Sequence, residues 1–172
     1  AELFNTGSIS ASAYASASSR GTDEAYATAI AVGVHQSASN AQTVLVTLTN
    51  SGDILADATA KAFTPGTVTE ATASASAVGV SQEAHGSGTS GSIARAVLSN
   101  SGNITATAFG SVNSQGSGSP DVSATAIGVN QFADSAGAAS ASLTNSGDIS
   151  AFATADISGG GLVNEISATA SA

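Results

Sequence analysis

Residues 143–155 read LTNSGDISAFATA, and the same pattern begins at Leu3, Leu48 and Leu98. Each copy places Asn two residues after the Leu (Asn5, Asn50, Asn100, Asn145), then Gly (Gly7, Gly52, Gly102, Gly147), then Ile (Ile9, Ile54, Ile104, Ile149). These positions share one parity. Residues two apart in a strand lie on one face, so Leu, Asn and Ile point inward while the Thr, Ser and Asp between them point out. Gly relieves the backbone at a turn, and the unit reads as strand, corner, strand. Behind each Ile the alternation continues, as Ala11, Ala13, Ala15 and Ala17 or as Ala56, Ala58, Ala60 and Ala62. A period of two held that long is a β signal.

A second motif lies between the copies: EAYATA from Glu24, EATASA from Glu70, DVSATA from Asp121 and EISATA from Glu165. The first three run on into AVGVHQ, AVGVSQ and AIGVNQ, ending at Gln36, Gln82 and Gln131; the third is two residues shorter from acid to Gln. Here the apolar parity passes from the Ala positions to Val32 and Val34, Val78 and Val80, Ile127 and Val129, which predicts a corner or bulge. Loops fall at matching places, and both prolines, Pro65 and Pro120, sit in them, where no ladder N–H is needed. The Leu-to-Leu spacings of 45, 50 and 45 residues predict a single domain over 1–172, with four repeats that bury their inner faces by stacking. Two coils per repeat are expected, because VGVxQxA imitates LxNxGxI. The alternatives are one large coil per repeat, or a four-bladed propeller, which the scarcity of aromatics disfavours.

Composition bounds the reading. Leu, Ile, Val and Phe make 33 of 172 residues, and with a formal charge of −9 that alone would indicate disorder. The repeats override it: 37 Ala, mostly alternating, can fill a narrow sheet interior. With no Cys, a disulfide framework and a thiolate metal site are excluded. Three basic residues argue against nucleic acid. The sequence contains no run of 18 apolar residues, so no membrane-spanning segment is expected. The opening Ala-Glu suits the mature side of a signal-peptide cut, and the Ser/Thr/Ala/Gly-rich acidic chain suits a secreted bacterial surface protein.

The LTNSGDI pattern resembles the short repeats of filamentous-haemagglutinin and autotransporter passenger domains. That resemblance implies an all-β, right-handed parallel β-solenoid at the cell surface, structural or adhesive, with a host or matrix surface as a partner. The long Ala alternation departs from such passengers and predicts a thinner, flatter coil.

The seven amides Asn5, Asn50, Asn100, Asn145, Gln36, Gln82 and Gln131 are candidate ladder residues, each bonding its neighbour along the stack. Glu24, Glu70, Asp121 and Glu165 hold one motif position and form a candidate cation column for Ca²⁺, against a plainer role as solvated acids that deter edge pairing. Stacked carboxylates ~5 Å apart repel by about 3 kcal/mol at an effective dielectric near 20, so a column needs shielding. Asp53 and Asp148, with Ser8 and Asn103 in the same place, read as turn residues.

The chain reads as no enzyme: His35 gives way to Ser81 and Asn130 in the sister repeats, His85 lies in a Gly/Ser loop, and a carbohydrate-active β-helix would need more than Arg20, Lys61 and Arg95. An ice-binding solenoid is the alternative, on a hydroxyl column Thr28, Ser74, Thr125 and Thr169 beside Tyr26, Thr72, Ser123 and Ser167. Tyr14, Phe109, Leu55 and Phe152 share outward parity and could form a broken apolar stripe. Both termini carry ordinary strand sequence, which predicts head-to-tail homopolymerisation into a filament, against the alternative of an excised piece of a longer passenger whose neighbours on the chain were its caps.

Overall fold

The computed structural model describes residues 1–20, 24–65, 70–115, 118–159 and 165–172. These form twelve strands in three parallel four-stranded sheets. The first sheet holds β1 (Glu2–Asn5), β4 (Thr43–Asn50), β7 (Ile93–Asn100) and β10 (Ala138–Asn145). In the second are β2 (Ile9–Ser18), β5 (Ile54–Thr64), β8 (Ile104–Ser114) and β11 (Ile149–Gly159). The third contains β3 (Ala25–Ala41), β6 (Glu70–Gly86), β9 (Ser119–Asp134) and β12 (Glu165–Ser171). The arrangement fits a β-solenoid. Each repeat supplies one strand to each sheet, so the expectation of two coils per repeat is corrected to one. VGVxQxA stacks on VGVxQxA, as Gln36 on Gln82 and Gln82 on Gln131, and never on LxNxGxI.

A one-residue slip would turn every inward side chain outward, so inward residues lie over inward residues, and in the first two sheets the Leu, Asn and Ile files stack like on like. Leu3 meets Leu48, Leu48 meets Leu98 and Leu143 meets Leu98, with Asn and Ile following in step. The third sheet is the long wall. The first stretch of its strands packs Ala25, Ala27, Ala29 and Ala31, and their counterparts, against the Ala rows of the second sheet. Its last stretch packs Ala38 and Ala84 against Val44, Val46, Ala94 and Ala96 of the first sheet. Between them Val34, Val80, Leu48, Leu98, Ile54 and Ile104 meet where the chain turns from the first sheet into the second. The expected thin, Ala-lined coil is what the side chains build. Where one coil carries the larger Val122, the facing β8 residue is Gly110, whose added Cβ would lie 2.9 Å from Val122 Cγ1.

The parity change falls one residue later than the sequence suggested. Val32 is 37% exposed and Val34 is 6% exposed, so the pivot is Gly33, with Gly79 and Gly128 beneath it. A Cβ on Gly79 would stand 2.6 Å from both the Gly128 carbonyl oxygen and Ile104 Cγ2. No side chain fits a bend that tight. The NSG corner is equally close, since a Cβ on Gly102 would overlap the Gly52 carbonyl.

Pro120 is also corrected, from loop to strand: it is buried in β9 opposite Ala71. It is the second residue there, at the margin where a missing N–H costs the ladder least.

Gly79→Ala should lower unfolding stability by at least about 3 kcal/mol, the upper range for overpacking, because main chain and Ile104 crowd the new methyl together. Urea unfolding followed by circular dichroism checks it; a change below about 1 kcal/mol, the error of the extrapolation, would show that the bend yields.

Candidate functional site

The stacked corners bring the seven amides into two continuous ladders. Asn5 Nδ2 donates to Asn50 Oδ1 at 2.7 Å, Asn50 Nδ2 to Asn100 Oδ1 at 2.6 Å, and Asn100 Nδ2 to Asn145 Oδ1 at 2.7 Å. Each nitrogen spends its other proton on the carbonyl of the corner glycine two residues on: Gly7, Gly52, Gly102 and Gly147. The Gln ladder runs from Gln131 Nε2 to Gln82 Oε1 at 2.8 Å and from Gln82 Nε2 to Gln36 Oε1 at 2.9 Å. Its members also reach across to the main-chain carbonyls of Thr47, Val97 and Ser142. Those carbonyl partners are the part that sequence reasoning missed. The recurring Gly two residues beyond each Asn was the available signal. Asn50 and Asn100 are 1% and 2% exposed, so each satisfied amide ties two coils together with nothing left for water.

The acids are brought together differently. Glu165 stands beside Asp121, but Asp121 stands beside Thr72 and Glu70 beside Ser119, so the register divides the four into two pairs offset by two residues. The cause is the shorter third copy: its strand is aligned from the Gly bend and Gln131, and its acid falls two places late. Among the described residues no group of three or more His, Asp or Glu gathers. The first pair is shielded by Tyr26, whose hydroxyl donates to Glu24 Oε2 at 2.9 Å. That bond first, then desolvation, then Glu70 on the next coil, push the phenol well above its ordinary pKa. At the opposite corner Asn103 donates to Asp53 at 3.0 Å, as turn residues do.

The same offset regroups the hydroxyl columns. Thr28, Ser74, Ser123 and Ser167 stand in one row, and Ile30, Ser76, Thr125 and Thr169 in the next. A third row is Val32, Val78, Ile127 and Ser171. These three rows of the third sheet carry no charge. On the second sheet Tyr14 and Phe109 share a level with Thr59 between them, while Leu55 and Phe152 lie on other levels and in other coils. The apolar stripe is thus interrupted. Lys61 leans over the gap, its Nζ 5.9 Å from each ring centroid, a cation–π bridge that the sequence did not announce.

His35 and His85 stand on the outer side of the third sheet, facing Ser81 and Asp134 respectively. His85 lies 3.8 Å from Glu83. The described residues enclose no pocket, and none forms a helix long and apolar enough to cross a membrane. Comparison with known protein families, with curated proteins and with solved structures finds no match for the chain.

Two measurements check this geometry. Asn100→Ala strands a donor on Asn50 and acceptors on Gly102 and Asn145, and should cost about 3 kcal/mol in denaturant unfolding; a loss within 0.5 kcal/mol, roughly that of a surface substitution, would mean that the ladder is ornamental. In Tyr14→Phe, where Tyr26 is the remaining phenol, absorbance titration should place its ionisation above the ordinary value near 10, and adding Glu24→Gln should bring it down. An ordinary midpoint in the single variant would remove the bridge.

Proposed function

We propose that the chain is a structural and adhesive β-solenoid of the cell exterior that builds fibres by stacking copies of itself head to tail. Right-handed winding is part of the proposal, because parallel strands joined by crossovers wind that way almost without exception, and the resemblance to exported passenger repeats points to the same hand and place. One observation carries the reading. Each inner coil takes a coil of the same motif on both of its faces, in all three sheets: Leu48 lies between Leu3 and Leu98, and Ile54 between Ile9 and Ile104. A further coil of the same kind extends three ladders at once. Adhesion would use the outer faces, where Tyr14, Phe152, Ile30 and Phe132 stay about half or more exposed. No catalytic step is assigned.

Ice binding is a second reading, favoured by the three uncharged rows on the third sheet. They repeat at ~4.8 Å along the stack and ~6.8 Å along the strands, the two spacings of any flat sheet. A partner that is itself a lattice would match such a grid. Thermal hysteresis in dilute solution decides for it, and its absence decides against.

For the fibre, concentrated protein should give filaments one molecule wide with a meridional reflection at ~4.7 to 4.8 Å. A monodisperse monomer at high concentration, with slowly exchanging amides in β1–β3 and β10–β12, would sink the proposal.

A further inference from the structure

The outer face of the second sheet holds a cation to which the chain gives no counter-charge. Its outward side chains stand in rows across the stack: Tyr14, Thr59, Phe109 and Thr154 in one, Ser16, Lys61, Ser111 and Asp156 in the next. Lys61 is exposed and leans back to the first row, where its Nζ lies 5.9 Å from the centroids of both Tyr14 and Phe109. The two rings are two coils apart, ~9.6 Å, and the ammonium stands in the interval between them.

No acid reaches it. Asp57 is two outward places back along the same strand, Asp156 lies two coils along the row, and the ion pair found among the described residues is His85 with Glu83. In a chain with twelve acidic and three basic residues, the single Lys is therefore held by two rings instead of by a carboxylate. Ring faces steady a cation without consuming its donors, so the three N–H bonds stay available to an anion from outside. These side chains project from the wall of the sheet. A coil added before β2 would stand beside Tyr14, not over it.

We propose that Tyr14, Lys61 and Phe109 form a binding site for an acidic polysaccharide, a chain of pyranose rings with sparse carboxylates, laid along the stack. The proposal names the ligand class of the adhesive surface and rests on that reading. A pyranose is amphipathic: its faces are C–H groups, its rim hydroxyls. A face can lie on each aromatic ring, as apolar surface on apolar surface, while the rim meets Thr59, Ser16 and Ser111. A carboxylate on the intervening sugar then takes a charge-assisted hydrogen bond from Lys61.

The charges on the face select for low charge density. One cation is flanked by Asp57 and Asp156, so a heavily sulfated chain would meet two acids for each Lys, whereas isolated carboxylates can meet the Lys alone. Flatness selects for an extended polymer: the described residues enclose no pocket, and a straight row on rigid strands gathers contacts coil by coil. A protein partner would want a contiguous apolar centre. Thr59 divides the two rings, and Leu55 and Phe152 lie on other levels, so this face has none.

Calorimetry with hyaluronan oligosaccharides, which carry a carboxylate on alternate sugars and no sulfate, tests the site beside the same oligosaccharides with their carboxyl groups reduced to alcohols. The unaltered chain should bind the acidic form several-fold more tightly than the reduced form. Lys61→Met keeps the stem and should bring both forms to one lower affinity, Lys61→Arg should retain the preference, and Phe109→Ser should weaken both forms several-fold, all with an unchanged β spectrum. No binding by the unaltered chain, or equal binding of the two forms, would overturn the proposal. Binding that K61M leaves as it was would overturn this site while the adhesive reading stands. Failure of the unaltered chain to hold cell and matrix surfaces of any kind would overturn that reading itself.

Discussion

Every coil must offer its neighbour the same outline at the spacing of one hydrogen-bonded strand, and the rest of the molecule follows from that constraint. Identical side chains then lie over one another in files. A file of Leu or Ala is simply buried, but a file of polar groups has to bond along its own length or stay solvated. Asn and Gln solve this inside the coil, because an amide carries donor and acceptor and can satisfy both above and below. Carboxylates cannot. They stand outside, in offset pairs, with Tyr26 lending a proton to the first pair.

The thin interior explains why amides are needed there. Burying an Ala methyl stabilises by about 0.8 kcal/mol, far less than a Leu or Phe side chain would. A core of this kind holds two walls together along a broad, shallow contact, and its cohesion lies in the ladders. Closeness also limits variation. Val122 is accommodated because Gly110 opposite gives up its side chain, and the bends at Gly79 and Gly102 have main-chain carbonyls where a Cβ would go. The balance between small residues and amides is one design seen from two sides.

Much of this was legible in the chain itself. The fourfold LxNxGxI, with Leu, Asn and Ile on one parity, identifies the inward files and the corner, and Leu48, Asn50 and Ile54 are buried as that parity requires. The Asn and Gln ladders were legible for the same reason. What was hidden depends on pairing across the stack, which no single strand encodes. VGVxQ looks like LxNxG because both are bends flanked by an apolar residue and an amide, yet they occupy different walls of one coil. The position of the bend was obscured by Val32, apolar and outward, beside a glycine that leaves no side chain to read. The acids and the hydroxyl rows were aligned by motif, whereas the sheet aligns them from the bend, so Asp121 and Thr125 moved by two places.

That displacement sets a rule for how such a chain can change length. Within a strand, removing one residue would turn every later inward side chain out to solvent, while removing two restores the alternation and merely slides the labels along the wall. The third copy did the latter, and its Ala and Val files are intact. Length variation within the paired stretches therefore comes in twos, and an odd residue is taken up at a loop or as a bulge, as where Asn40 falls out of register between Ser39 and Ala41 near the end of β3. A family of such chains would diverge in outer decoration by discrete two-residue steps, each carrying a whole column of surface chemistry to a new latitude while the interior stays as it was.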